Sequence, residues 1–114
     1  MLYSEVASMI NSMGLPFAYR AFDNDTAQPT PFICYLYTGN TPEPADNKNF
    51  TKIETLVIEL YTDNKDFELE ATIESVLDTN EMVYERDEEW ISDEQMQVTT
   101  YTMEVVISEP ATTE

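Results

Sequence analysis

Histidine is absent from this 114-residue chain, cysteine occurs once, glycine twice, and only five residues are Lys or Arg. Each scarcity removes a class of function. Without histidine, the commonest metal ligand and the commonest general base are both missing. Cys34 alone can make neither an internal disulfide nor a thiolate zinc cage. Two glycines leave no Gly-rich loop to cradle a phosphate. The five cations face 23 Asp and Glu, for a net charge of −18. A surface that acidic repels phosphate, which argues against binding DNA or anionic lipid through a basic patch. No apolar run approaches the roughly 18 to 20 residues that cross a bilayer. No basic segment leads into an apolar stretch at the N-terminus. The expectation is a protein of the producing cell's cytoplasm, with no membrane, metal or cofactor.

What remains is 42% hydrophobic and 11% aromatic, enough for one folded domain despite a charge that by itself leans toward disorder. The domain is expected over residues 1–107, with 108–114 a flexible polar tail. Charge divides unevenly along the chain. Residues 1–52 carry five acids and three bases (net −2), whereas residues 53–114 carry eighteen acids and two bases (net −16). The two halves are expected to face different environments.

Leu2, Val6, Met9, Ile10 and Met13 recur at helical spacing, and Gly14 with Pro16 ends that helix. Phe17–Phe22 reads as a short strand, 23–31 as a loop, and Phe32–Tyr37 as a strand covered on both sides. Residues 39–50 have turn composition throughout and read as a long loop. Ile53–Thr62 alternates, with Leu56, Ile58 and Leu60 on one face and Thr55, Val57, Glu59 and Tyr61 on the other. Asp63–Asp66 offers N-caps for a helix whose apolar stripe is Leu69, Ile73, Val76 and Leu77, and Asp66, Glu68 and Glu70 suit its positive N-terminal end. A strand at Met82–Arg86, an acidic turn region and a long strand at Gln95–Ile107 follow. The order α-β-β-β-α-β-β implies an α+β two-layer sandwich, a mostly antiparallel or mixed β-sheet with two helices on one face.

No catalytic constellation emerges. Glu85, Asp87, Glu88, Glu89, Asp93 and Glu94 place six acids in ten residues around Trp90, and such a run reads first as a solvated face. Asp23-Asn24-Asp25 resembles the start of a calcium loop, but Ala27 stands where a third ligand belongs and no glycine follows. Cys34, in the most apolar strand with no base beside it, reads as a small buried hydrophobe. Seven tyrosines, five phenylalanines and six methionines exceed what so small a core needs. Aromatics on both strand faces point to a second surface covered by another subunit; rings lying over an open face with wet hydroxyls explain them equally well. The interface candidates are Asp46, Asn47 and Lys48 in the 39–50 loop, with Tyr37, Tyr61 and Trp90.

The strings Leu15-Pro16-Phe17-Ala18-Tyr19-Arg20-Ala21-Phe22, Pro31-Phe32-Ile33-Cys34-Tyr35, Ala45-Asp46-Asn47, Ile58-Glu59-Leu60-Tyr61-Thr62-Asp63-Asn64-Lys65-Asp66 and Glu68 to Leu77 resemble small prophage-encoded tail proteins of Gram-positive hosts. In size and element order these are similar to the tail terminator (tail completion) proteins of long-tailed phages. The likeness runs over residues 2–107 and rests on structural phrases without a catalytic signature. It implies a structural virion protein, no enzyme, assembled in the host cytoplasm and resident in the virion tail. It further implies a homo-oligomeric, usually hexameric ring that caps the tail tube protein and joins it to the head-tail connector or neck protein. DNA would pass through such a ring without specific binding, and Glu85, Asp87, Glu88, Glu89, Asp93 and Glu94 are the candidate lumen charges. A competing reading from another class is an acidic DNA-mimic inhibitor of a host nucleic-acid enzyme.

Overall fold

The computed structural model describes residues 1–23, 28–42 and 50–109. Helix α1 (Tyr3–Asn11) opens with the Glu5 carboxylate accepting the Leu2 N–H at 2.8 Å, which satisfies a donor that the first turn leaves over. It buries Val6, Met9 and Ile10, the i, i+3, i+4 positions of its apolar stripe. Gly14, at φ +86°, turns the chain out of the helix in a conformation that a side chain would strain.

Five strands follow in one sheet, interrupted by the second helix: β1 (Phe17–Tyr19), β2 (Phe32–Pro42), β3 (Phe50–Thr62), α2 (Phe67–Thr79), β4 (Tyr84–Ile91) and β5 (Met96–Glu109). Their spatial order is β1-β2-β3-β5-β4; β1 runs parallel to β2 and every other pair is antiparallel. The expected α+β sandwich with a mixed sheet is the observed one. Asp66 caps α2 as its position suggested, accepting the Leu69 N–H at 3.0 Å.

Alternation decides the two faces. Ile33 of β2, Leu56, Ile58 and Leu60 of β3, and Tyr101, Met103, Val105 and Ile107 of β5 point toward the helices and join Val6, Met9, Ile10, Met13, Ile73 and Leu77 in one buried cluster. Each such Leu or Ile contributes about 1.5–3 kcal/mol by leaving water. Helix α1 lies over β2 and β3, where the Tyr3 ring meets Tyr37 edge-on at 5.3 Å and its hydroxyl donates to Glu54 at 2.5 Å. Helix α2 lies over β5, reached by Thr99 and Tyr101 hydroxyls.

Several boundaries differ from expectation. The acidic turn region is largely strand: β4 continues from Tyr84 through Glu89 to Ile91, and only residues 92–95 turn. Pairing with β5 along its length outweighs the poor strand propensity of Asp and Glu, which an edge strand tolerates because one side meets water. The loop expected over 39–50 is shorter, since β2 pairs with β3 out to Pro42 opposite Lys52, past an irregularity between Tyr37 and Asn40, and β3 already begins at Phe50. Asp46, Asn47 and Lys48 lie outside the described residues, as do Asn24 and Asp25 of the partial calcium motif. Of the strand expected over Phe17–Phe22, only Phe17–Tyr19 pairs, at the sheet edge; Arg20 then takes φ 70° and breaks the extension. Ser108 and Glu109, expected in the tail, belong to β5.

Candidate functional site: the open sheet face and its acidic edge

The face away from the helices is organised in rows fixed by strand register. One row runs Phe32, Tyr61, Val98, Glu89 across β2, β3, β5 and β4. The next runs Cys34, Glu59, Thr100, Asp87, and the third Leu36, Val57, Thr102, Glu85. Every row therefore starts from an apolar or thiol group at β2 and ends on a carboxylate at β4, with threonine or valine at β5; at β3 the middle row carries a further carboxylate, Glu59. Same-face neighbours on β4 are about 6.7 Å apart, so Glu85, Asp87 and Glu89 form a stripe of three exposed carboxylates.

The apolar end of these rows is partly covered by the connection leaving β1. Phe22 meets Phe32 edge-on at 5.5 Å, and Phe32 stacks on Tyr61 at 4.9 Å and 11°. Cys34 beneath them is buried. Burial pushes its thiol pKa up, the Glu59 charge adds to this, and a hydrogen bond from the Phe22 backbone opposes it. A thiol held in that state is a poor nucleophile. The Tyr61 hydroxyl donates to Glu59 at 2.9 Å; burial and that bond raise its pKa. Toward the acidic end, an open groove of about 500 Å³ is lined by Thr55, Val83, Tyr84, Glu85, Thr102, Met103 and Glu104. Among the described residues, no three acidic or thiol side chains gather closely enough to hold a metal ion.

On the helix side of β4 the charges are paired. Lys65 reaches Glu70 at 2.9 Å and Glu88 at 2.8 Å, and Arg86 reaches Glu74 at 2.9 Å and Glu70 at 3.6 Å. Glu70 is only 2% exposed and also accepts the Thr99 hydroxyl at 3.0 Å. Glu88 takes a further bond from Gln97, and its pKa falls chiefly through the Lys65 hydrogen bond. The Tyr101 hydroxyl donates to Glu74, and burial, then that bond, raises its pKa. A carboxylate this buried persists because two cations and a hydroxyl compensate its desolvation.

The six candidate lumen acids thus separate. Glu85, Asp87 and Glu89 share the open face, Glu88 turns inward to Lys65, and Asp93 and Glu94 occupy the β4–β5 turn. Tyr61 lies on the open face. Tyr37 lies on the helix side, half-buried among Tyr3, Tyr19 and Tyr35, its hydroxyl buried without a hydrogen-bond partner among the described residues. Trp90 sits near the end of β4, opposite Gln97, and is 47% exposed. The pairing of Glu70 and Glu74 with Lys65 and Arg86 was not anticipated from the sequence. Its signal is there: Glu70 shares the i, i+3, i+7 stripe of Ile73 and Leu77, and a carboxylate on an apolar stripe needs a cation. Among the described residues no helix is long and apolar enough to cross a membrane. No protein-family model matches the chain, and no curated protein is significantly similar to it.

Proposed function

We propose that this chain is a structural subunit of a closed homo-oligomeric ring, acting as a phage tail terminator that caps the tail tube and joins it to the head-side connector. The observation that carries the reading is the one-sided cover: two helices seal one face of the sheet, while the other face runs from aromatic and apolar groups at β2 to carboxylates at β4, and among the described residues the outer edges of β1 and β4 pair with no further strand. Such a surface suits contact with other protein bodies rather than turnover of a small molecule. The carboxylate stripe of Glu85, Asp87 and Glu89 suits a lining past which DNA slides, since like charge keeps phosphates from adhering. With −18 per copy, self-assembly is opposed by repulsion that salt screens, so the ring is favoured as ionic strength rises.

The test is solution mass by light scattering at low and high salt, with negative-stain microscopy of any large species. A salt-promoted hexamer of 13.1 kDa chains with a central hole supports the reading. A strict monomer at every salt concentration, together with failure to co-sediment with purified tail tubes, overturns it. The rival DNA-mimic reading draws on the same stripe, but three carboxylates in register make a short phosphate imitation. Tight binding to a basic host nuclease, competed by duplex DNA, would establish that reading instead.

A further inference from the structure

The division of charge along the sequence becomes a division across the sheet. Strands β1 and β2, from the nearly neutral half, form one side; β4, from the −16 half, forms the opposite edge. Among the described residues both sides carry unpaired backbone. Strand β1 covers β2 only at Ile33–Tyr35, and the Tyr19 hydroxyl takes the next free donor, the Tyr37 N–H at 3.1 Å. From Thr38 to Pro42, β2 has no neighbour on that side among the described residues. Gly39 lies within this stretch, has no positive φ, and would accept a Cβ with nothing within 4 Å. Gly39 falls at the irregularity of register between Tyr37 and Asn40, where glycine is common, and the open space beside it also admits another backbone.

We propose that copies of this chain join edge to edge in one direction, the free β2 stretch Thr38–Pro42 of one copy receiving the β4 strand Tyr84–Ile91 of the next as an added strand. The proposal rests on the ring reading and names its interface. Charge selects the pairing. Two β4 edges brought together would oppose Glu85, Asp87 and Glu89 to their own images, which repel. The β2 side offers Arg20, which is exposed and makes no ion pair among the described residues. The two cations nearest β4, Lys65 and Arg86, are already committed to Glu70, Glu74 and Glu88. Apolar anchors flank the acidic strand: Val83 is 89% exposed just before β4, and Trp90 is half exposed near its end. Because the joined surfaces lie on opposite sides of the subunit, each contact leaves one of each free, and a ring results when the rotation closes.

Cross-linking separates this interface from any other. In a Cys34→Ser background, Thr38→Cys, Asp87→Cys and the double variant are treated with a short bismaleimide at high salt, urea midpoints confirming that each folds. The double variant is expected to give a ladder of dimers, trimers and higher species, and a mixture of the two single variants dimers alone. Each single variant by itself should give nothing. Cross-linked dimers in a single variant would indicate a two-fold contact and overturn the proposal. Absence of cross-links while light scattering still finds a multi-subunit species would overturn it too and leave the ring reading standing. Absence of both removes the two together.

Discussion

The Tyr19 hydroxyl accepts the Tyr37 N–H at 3.1 Å at the point where β1 stops. A side chain there does for one residue of β2 what a longer strand would have done with its backbone. Tyr19 also meets Tyr35 edge-on at 5.2 Å, so the ring is held while its hydroxyl caps the edge. Replacing Tyr19 by Phe keeps the ring and removes the acceptor. The expected loss is about 0.5–1.5 kcal/mol in a urea titration. An unchanged midpoint would mean that water serves the Tyr37 N–H equally well.

Glu70 is the most exposed to failure of the polar groups under β4, because its three partners were arranged around its charge. Glu70→Ala is expected to cost about 1–3 kcal/mol, because the buried Thr99 hydroxyl loses its acceptor while Lys65 and Arg86, which reach solvent, keep Glu88 and Glu74. Glu70→Gln, which retains a hydrogen bond to Thr99, should cost less. Equal losses for the two variants in chemical denaturation would show that the bond contributes nothing beyond the charge.

Alkaline pH should unfold the protein cooperatively. Burial raises the pKa of Tyr37, Tyr61 and Tyr101, so the native state holds these protons more tightly than the unfolded chain. Their contribution to stability is complete below the ordinary tyrosine value of 10.0 and is lost as pH rises through the higher native values. The phenolate absorbance of these three should rise in one step together with loss of circular dichroism, and Tyr101→Phe should reduce that step by one tyrosine. Ionisation of all tyrosines in a still-folded chain would contradict the burial argument.

The acid limb has the opposite sign. The pKa of Glu88 is lowered by its bonds to Lys65 and Gln97, so its contribution is present above the ordinary carboxylate value of 4.5 and fades as pH falls through the native one. The difference in thermal midpoint between the wild type and Glu88→Gln is expected at neutral pH and should vanish in acid. A difference independent of pH would place the effect in packing.

Cys34 is protected by a covering residue as much as by its own strand. Phe22→Ala opens the stack over Phe32 and should speed modification of Cys34 by a disulfide reagent about tenfold, the signature of easier local opening. An unaltered rate would mean that Cys34 is reached only by global unfolding.

Elements whose pattern is set by burial were legible in the sequence. Leu56, Ile58 and Leu60 alternate because one face of β3 is core, and Ile73 and Leu77 recur at helical spacing for the same reason. Legibility failed where pairing, not burial, holds the chain. Asp87, Glu88 and Glu89 look like a turn, yet β5 supplies the ladder that keeps them extended. Gly39 and Pro42 look like a loop, yet β3 continues beside them. The row structure of the open face was equally hidden, because it depends on registers between strands far apart in sequence. Glu85 and Leu36 acquire a relationship only when Val57 and Thr102 are set between them.

Those rows also give the face a direction. A body settling on it meets greasy groups on one side and carboxylates on the other, and a half-turn about the normal would press its apolar contacts onto Glu85, Asp87 and Glu89. The desolvation of charge in the wrong orientation costs more than contact in the right one returns. A body docked on such a face would be fixed in azimuth as well as in position.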